Sequence, residues 1–389
     1  MKESKSIDVN SRGTIAAGLI LGTIGVLSFI VQPGLVQGFV SVLGLSEADA
    51  NFLASIEMAG IALATIIAIF LTPNLSWRTI TGIAIIIAVA GNLFSATGDN
   101  QTILQIARFI TGIGEGLIIS LSFTIIGLTQ KTERNLALYL ALLMTYGAFG
   151  LWVMPLAFQT IGLKGIFIIW AILSLLALFT LKYVPISDAS QEEFRPSAIQ
   201  LNIGWLILAL LAVFAYNAAI GLAWANLFLI GMDIVPNEQT IANTLLIAQF
   251  AGIAGAVGAV YLSDRIGSWK PLSFGVIVAA MCIALLLGEP SILIFGIAVS
   301  GFNGLWNFTL PYLLSIVGDM DTKSRMMTLA IAIQMIGLGS GPYLASKLFK
   351  AGLGFKEMEI ITVVALVGSI IILAIPVRTH KINLKKQVE

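Results

Sequence analysis

Three ionisable residues stand well inside long apolar stretches of this chain: Glu57, Arg108 and Glu115. An acid or an arginine at the centre of a lipid-embedded helix costs about 2.5–3.5 kcal/mol on insertion scales, so such a residue faces a cavity or a partner and is a functional hypothesis by default. The stretches holding Glu57 and Arg108 are expected to start from the same face of the bilayer. A helical rise of about 1.5 Å per residue then puts Glu57 roughly 12 Å and Arg108 roughly 10 Å in. Similar depth and opposite charge predict an ion pair. Glu115 lies seven residues beyond Arg108, on the same helical face and roughly 10 Å deeper, with no obvious partner at its own level. An isolated central carboxyl can take up and release a proton. Glu115 and Glu57 are therefore the candidate proton-coupling residues, and Arg108 is a candidate for holding an anionic group. The structural alternatives are that the pair only holds helices together, and that Glu115 stays protonated without a functional part.

The second half of the chain has no matching charges inside its apolar stretches and carries a polar and aromatic set instead. Tyr216, Asn217, Trp224 and Asn226 share one stretch, with Asn217, Gly221 and Trp224 on one helical stripe. Asn303, Trp306, Asn307, Pro311 and Tyr312 share another, with Asn303 and Asn307 four apart. Amides surrounded by lipid must find partners, so these should face inward. Asn217, Trp224, Asn303, Trp306 and Asn307 are candidate substrate-binding residues. Gln32, beside Pro33 and ahead of Gln37 in the first stretch, joins them. Such a wall suits a ligand with one anionic end and a flat or apolar body. The alternative is that the amides bond helix to helix and the aromatics anchor helix ends at the membrane surface.

The elements that must position these groups follow from composition. Hydrophobic residues make up 58% of the 389 residues and charged residues 11%, against roughly 25% charged in a soluble domain. A chain this poor in charge cannot cover a water-soluble fold, so its solvent is lipid. Twelve apolar stretches are read, at 14–42, 48–71, 77–97, 101–129, 135–161, 163–184, 201–230, 237–262, 270–288, 291–317, 326–349 and 357–377. Each is long enough for a hydrocarbon core that needs about 20 helical residues. Irregular backbone is not tolerated against lipid, so these should be helices; alternating barrel strands are not seen. The fold class expected is an all-α membrane protein of twelve transmembrane helices. The first stretch is too long for a cleaved signal peptide and is read as a retained span.

Several function classes fall away. Cys282 is the one cysteine and sits in a predicted span, so no disulfide framework exists. His380 is the one histidine and lies in the tail, which argues against zinc chemistry and histidine-based catalysis. No P-loop, dinucleotide fingerprint or metal-ligand cluster is present. The chain is read as a non-enzyme with no metal and no cofactor. Its expected partners are the lipid bilayer and a small-molecule substrate, with no nucleic acid, and a monomer is expected.

Lysine and arginine are unevenly placed. With twelve spans, sixteen fall on the side of both termini, four on the other (Lys164, Lys347, Lys350 and Lys356), and Arg108 inside a span. Such an excess marks the cytoplasmic face. The chain is expected to be a multi-pass protein of the plasma (cytoplasmic) membrane with both termini cytoplasmic. The one break in composition is Pro185–Gln200, polar and carrying two prolines. It divides the chain into an N-terminal six-helix bundle (1–184), a cytoplasmic linker (185–200) and a C-terminal six-helix bundle (201–389). The loops after spans four and ten echo each other, with Thr132, Glu133 and Arg134 against Asp321 to Arg325. The spans that follow are both punctuated by glycine and proline. Duplicated halves are a common construction of secondary transporters.

The loop after span eight reads Gly258 to Lys270, with Asp264, Arg265, Gly267 and Lys270 in the order D-R-x-G-x-x-K. It resembles the signature loop of the major facilitator superfamily. The equivalent loop after span two keeps Arg78 but lacks the acid. In that family the acid helps latch the two halves on the cytoplasmic side, so the resemblance implies a cytoplasmic gate at Asp264, Arg265 and Arg78. Span four reads Arg108-x-x-x-Gly112-x-Gly114-Glu115-Gly116. This looks like the branch that carries organic anions with protons, in which the glutamate is tied to proton coupling. The basic residue of that branch in span one is absent here, where Gln32, Pro33 and Gln37 stand instead. Span five has Gly147 and Gly150 without the Gly-Pro pair associated with drug-exporting antiporters. The resemblance implies two pseudo-symmetric six-helix bundles around a cavity lined by spans one, four, seven and ten.

The reading that follows is proton-coupled secondary transport, by alternating access, of a small organic solute such as an organic anion or amphipathic metabolite. The energy source expected is the proton gradient, since the central candidate is a lone carboxylate and not a cage of oxygen ligands. The alternatives are a proton-driven exporter of hydrophobic or drug-like compounds and a receptor that kept the fold without turnover.

Overall fold

A computed structural model describes residues 8–98, 100–186, 202–320 and 325–388. The helices are α1 (Arg12–Gly25), α2 (Gln32–Ser41), α3 (Glu47–Leu71), α4 (Trp77–Thr97), α5 (Gln101–Gly127), α6 (Thr132–Thr160) and α7 (Gly162–Leu176), which tightens into a 3-10 turn (Ala177–Tyr183). Then come α8 (Ile203–Ile234), α9 (Glu238–Ile266), α10 (Trp269–Ala284), α11 (Ile292–Gly318), α12 (Arg325–Lys350) and α13 (Phe355–Val388). No strand occurs among the described residues.

The starts of several helices are written in the sequence as side-chain caps. Asn100 accepts from the Ile103 N–H at 2.9 Å, Asn237 from Thr240 at 2.9 Å and Ser11 from Thr14 at 3.1 Å. Each satisfies a first-turn donor that has no partner within its helix. Gly267 ends α9 with φ +63°, a left-handed conformation that a side chain would strain.

Among the described residues, ten helices are long and apolar enough to cross a membrane. The expected spans one and nine differ. The first stretch is not one helix: α1 stops at Gly25, residues 26–31 form turns, and α2 restarts at Gln32. Pro33 marks the restart: it has no N–H to give to the Phe29 carbonyl and its ring crowds that carbonyl, so the helix cannot run regularly into α2. The ninth stretch forms α10, only 16 residues long, which gives way to turns ahead of Gly288, Glu289 and Pro290. At about 1.5 Å per residue that helix falls short of a 30 Å core. The sixth stretch spans as α7 plus its 3-10 extension.

The chain forms two compact units, Met1–Leu45 with Leu53–Gln191, and Ser46–Phe52 with Glu192–Glu389. Of the linker expected at 185–200, residues 187–200 lie outside the described residues. In the first unit α5 packs against α1 and α4, and α4 against α7. In the second, α8 packs against α12 and α13, α9 against α11, and α10 against α11.

Candidate functional site

Glycine sets the spacing around Arg108. The alternation Gly112, Gly114, Gly116 puts a bare backbone on two faces of α5. A Cβ on Gly112 would overlap the Glu57 carbonyl oxygen of α3, and one on Gly116 would lie 2.5 Å from the Ile61 carbonyl oxygen. One on Gly114 would lie 2.5 Å from the Ala88 nitrogen of α4. Helices that approach this closely gain van der Waals packing, which lipid tails do not otherwise favour. We expect Gly112→Ala to push α3 from α5 and to cost about 1–3 kcal/mol, the usual penalty for overpacking. A lowered thermal midpoint in detergent checks this.

That close approach brings Glu57 to Arg108. The Nη2 of Arg108 donates to Glu57 Oε1 in an ion pair, with the side chains fully and almost fully buried. Nη1 donates to Asn92 Oδ1 at 3.0 Å and to Ser95 Oγ at 3.4 Å, both on α4. The Phe167 and Trp170 rings of α7 lie 5.0 and 5.9 Å from the guanidinium carbon. Arg108 is thus enclosed: one charge opposite it, two polar groups at its other end, aromatic rings alongside. A desolvated cation survives in such a place because charge, hydrogen bonds and ring faces together replace its water.

Glu115 is 1% exposed. Its Oε2 accepts from Ser28 Oγ at 2.7 Å, across from the turns between α1 and α2. Its Oε1 has no hydrogen-bond partner among the described residues. Gln32, at the start of α2, is 3% exposed, and its Oε1 likewise has none.

Three of the candidate amides in the second unit donate to backbone. Asn303 Nδ2 donates to the Ala248 carbonyl at 2.8 Å, tying α11 to α9. Asn307 Nδ2 donates to the Asn303 carbonyl at 2.9 Å. Asn217 Nδ2 donates to the Val213 carbonyl at 2.8 Å on its own helix. The stripe of Asn217 and Gly221 lies against α12: a Cβ on Gly221 would overlap the Leu338 carbonyl, and one on Gly337 would sit 2.8 Å from the Asn217 Cβ. Trp224 and Trp306 meet at 5.7 Å between ring centroids, tilted by 56°. Asn226 exchanges hydrogen bonds with Asn51 at 2.8 and 3.0 Å within the same unit.

Of the three residues expected at the cytoplasmic gate, Arg78 donates through Nη2 to the Val184 carbonyl at 3.1 Å, just past the 3-10 turn. Arg265 lies 4.2 Å from the ring of Tyr261, one turn back on its own helix. The side chain of Asp264 lies outside the described residues. A groove of about 300 Å³ in the second unit is lined by Gly255, Gly258, Gly301, Gly304, Phe274 and Phe308 among others, and by none of the candidate coupling, binding or gate residues.

The structure therefore joins Glu57 to Arg108 and Trp224 to Trp306, and it adds partners that sequence reading did not single out. Asn92 and Ser95, polar and three apart in an apolar stretch, are a signal that could have been read. Ser28, Phe167 and Trp170 give none, since nothing in their neighbours along the chain points to α5.

The family model of the Major Facilitator Superfamily matches residues 14–320. The chain belongs to that superfamily, and with its many apolar helices it is a multi-pass membrane transporter. No curated protein matches the chain.

Proposed function

We propose that the protein is a secondary transporter that moves a small organic solute with protons by alternating access, with Glu115 as the proton-carrying group. The observation that carries this reading is the contrast between the buried acids. Glu57 is matched by Arg108. Glu115 has one hydroxyl partner and a second oxygen with none among the described residues. An acid held by a hydroxyl rather than in an ion-pair contact is a candidate for cycling between protonated and charged forms. Twelve crossings are part of the proposal, with α1 and α2 together forming the first and α10 the ninth. The charge distribution supports cytoplasmic termini.

For the solute, we favour an organic anion or amphipathic metabolite, with Arg108 exchanging Glu57 for the anionic end. One observation favours a second reading, export of hydrophobic compounds: the charge of Arg108 is already balanced by Glu57 and walled by Phe167 and Trp170.

A thermal-stability screen separates the two. Purified protein is heated with organic acids, neutral metabolites and lipophilic cations at two pH values, since a ligand that binds the native state stabilises it. At 100 times its dissociation constant a ligand adds about 2.7 kcal/mol. Carboxylates that stabilise the wild type and not Glu57→Gln/Arg108→Gln support the anion reading. Stabilisation by lipophilic cations or neutral compounds alone overturns it in favour of the exporter.

A further inference from the structure

The break in the first apolar stretch lies against the candidate proton site. α1 runs down the surface of α5 and α6 on a stripe of glycines. A Cβ on Gly18 would sit 2.8 Å from Ile126 Cδ1, and one on Gly22 would overlap the Tyr139 ring. A Cβ on Gly25 would sit 3.0 Å from the Ile119 nitrogen and 3.2 Å from the Glu115 carbonyl oxygen. The last of these three glycines ends the helix, so α1 stops where it touches the backbone of Glu115.

Beyond Gly25 the regular ladder fails. The Val26 and Leu27 N–H groups reach back three residues, at 3.3 and 3.5 Å. A carbonyl freed at this depth needs a partner from within the protein. The Leu27 carbonyl has one, the Tyr146 hydroxyl of α6 at 2.7 Å. The irregular segment is thus supported from outside itself.

Ser28 sits on this segment, and its hydrogen bond differs from the helix-bound ones that many serines and threonines of the first unit make. Thr23, Thr81, Ser95, Thr111 and Ser120 donate to the carbonyl four residues back on their own helices, the ordinary habit of such side chains among apolar surroundings. Ser28 lies where that helix has come apart, and it donates across to Glu115 Oε2. It is 1% exposed.

We propose that Ser28 is the positioning residue for the Glu115 carboxyl, and that the helix break exists to carry it there. This rests on the reading of Glu115 as the proton-carrying group. Ser28 fixes Oε2 as the hydrogen-bond acceptor, which leaves Oε1 as the oxygen on which the proton is gained and lost. The O–H bond forms at Oε1 with a proton drawn from the gradient and breaks there when that proton leaves. In this structure Arg108, on the same helix, donates to Glu57, and the Tyr146 hydroxyl to the Leu27 carbonyl, so among the described residues Ser28 is the group that orients the Glu115 carboxyl.

Infrared difference spectra recorded between acid and alkaline pH on the purified full-length protein test this without a known solute. A protonated carboxyl shows a C=O stretch, and the frequency rises when its oxygen loses a hydrogen-bond donor. The band assigned to Glu115 is the one missing in Glu115→Gln. Ser28→Ala is expected to shift that band to higher wavenumber, and Ser28→Thr, which keeps the hydroxyl, to leave it in place. If the Glu115 band is present and Ser28→Ala does not move it, the positioning role is overturned while the proton-carrier reading stands. If Glu115→Gln removes no band at any pH, the acid does not change protonation and both fall. Should Ser28→Ala fail to fold, Ser28→Cys keeps the size and weakens the donor. The same upward shift is then expected, and its absence overturns the positioning role.

Discussion

Glu115→Gln is expected to abolish proton-driven accumulation of solute while leaving exchange of solute for solute running. Glutamine has nearly the shape of the protonated acid and still offers an oxygen to Ser28, whose hydroxyl donates at 2.7 Å in the native protein. What it cannot do is release a proton. A carrier locked in this form can cross its cycle loaded with solute, so exchange persists. Net uptake against a gradient falls to the level of protein-free vesicles. Loss of exchange together with accumulation would mean that Glu115 holds the fold or the solute and is not the coupling group. Unchanged accumulation would remove the coupling proposal outright.

The second large effect is on stability. Arg108→Ala alone should destabilise the protein by about 3–5 kcal/mol, because it leaves the Glu57 carboxylate buried without its counter-charge. The Asn92 oxygen, 3.0 Å from the guanidinium, also loses its donor. Glu57→Gln alone should do comparable damage by stranding a cation that is 0% exposed. The double substitution Glu57→Gln/Arg108→Gln removes both charges and should be much less harmful than the sum of its parts. Thermal midpoints of the four proteins close the double-mutant cycle. Additive losses would show that the two side chains contribute independently, and that the contact seen between them carries no coupling.

The ion pair was legible in the sequence because charge inside an apolar stretch is rare and costly, and because equal depth on two neighbouring spans leaves few choices of partner. Its surroundings were less so. Asn92 and Ser95 reach Arg108 from α4, and Phe167 and Trp170 from α7. Which helices stand side by side is a tertiary fact that periodicity within one helix does not contain. The all-helical class follows from hydropathy alone, yet hydropathy hid the interruption at 26–31. That segment is as apolar as its flanks, and only Pro33 marks it. The glycines of α9 illustrate the same limit. Gly255 does meet the Gly304 backbone of α11, whereas Gly258 opens onto a groove. In the second unit the helical stripes could be drawn from the sequence, but not what each faces. Asn217 and Gly221 turn to α12. Asn303 spends its amide on the Ala248 carbonyl of α9, as a helix-to-helix bond would. An amide in a span signals a needed partner, and backbone is the partner most often at hand.

The most direct test of the central claim is proton movement itself. The protein is reconstituted in liposomes holding a pH-sensitive dye, and a solute found to stabilise it is added outside with no proton gradient imposed. The account predicts a pH change inside that follows the solute, is cancelled by a protonophore and is missing in Glu115→Gln. Solute entry with no pH change, at a rate that is the same in wild type and Glu115→Gln, would contradict it.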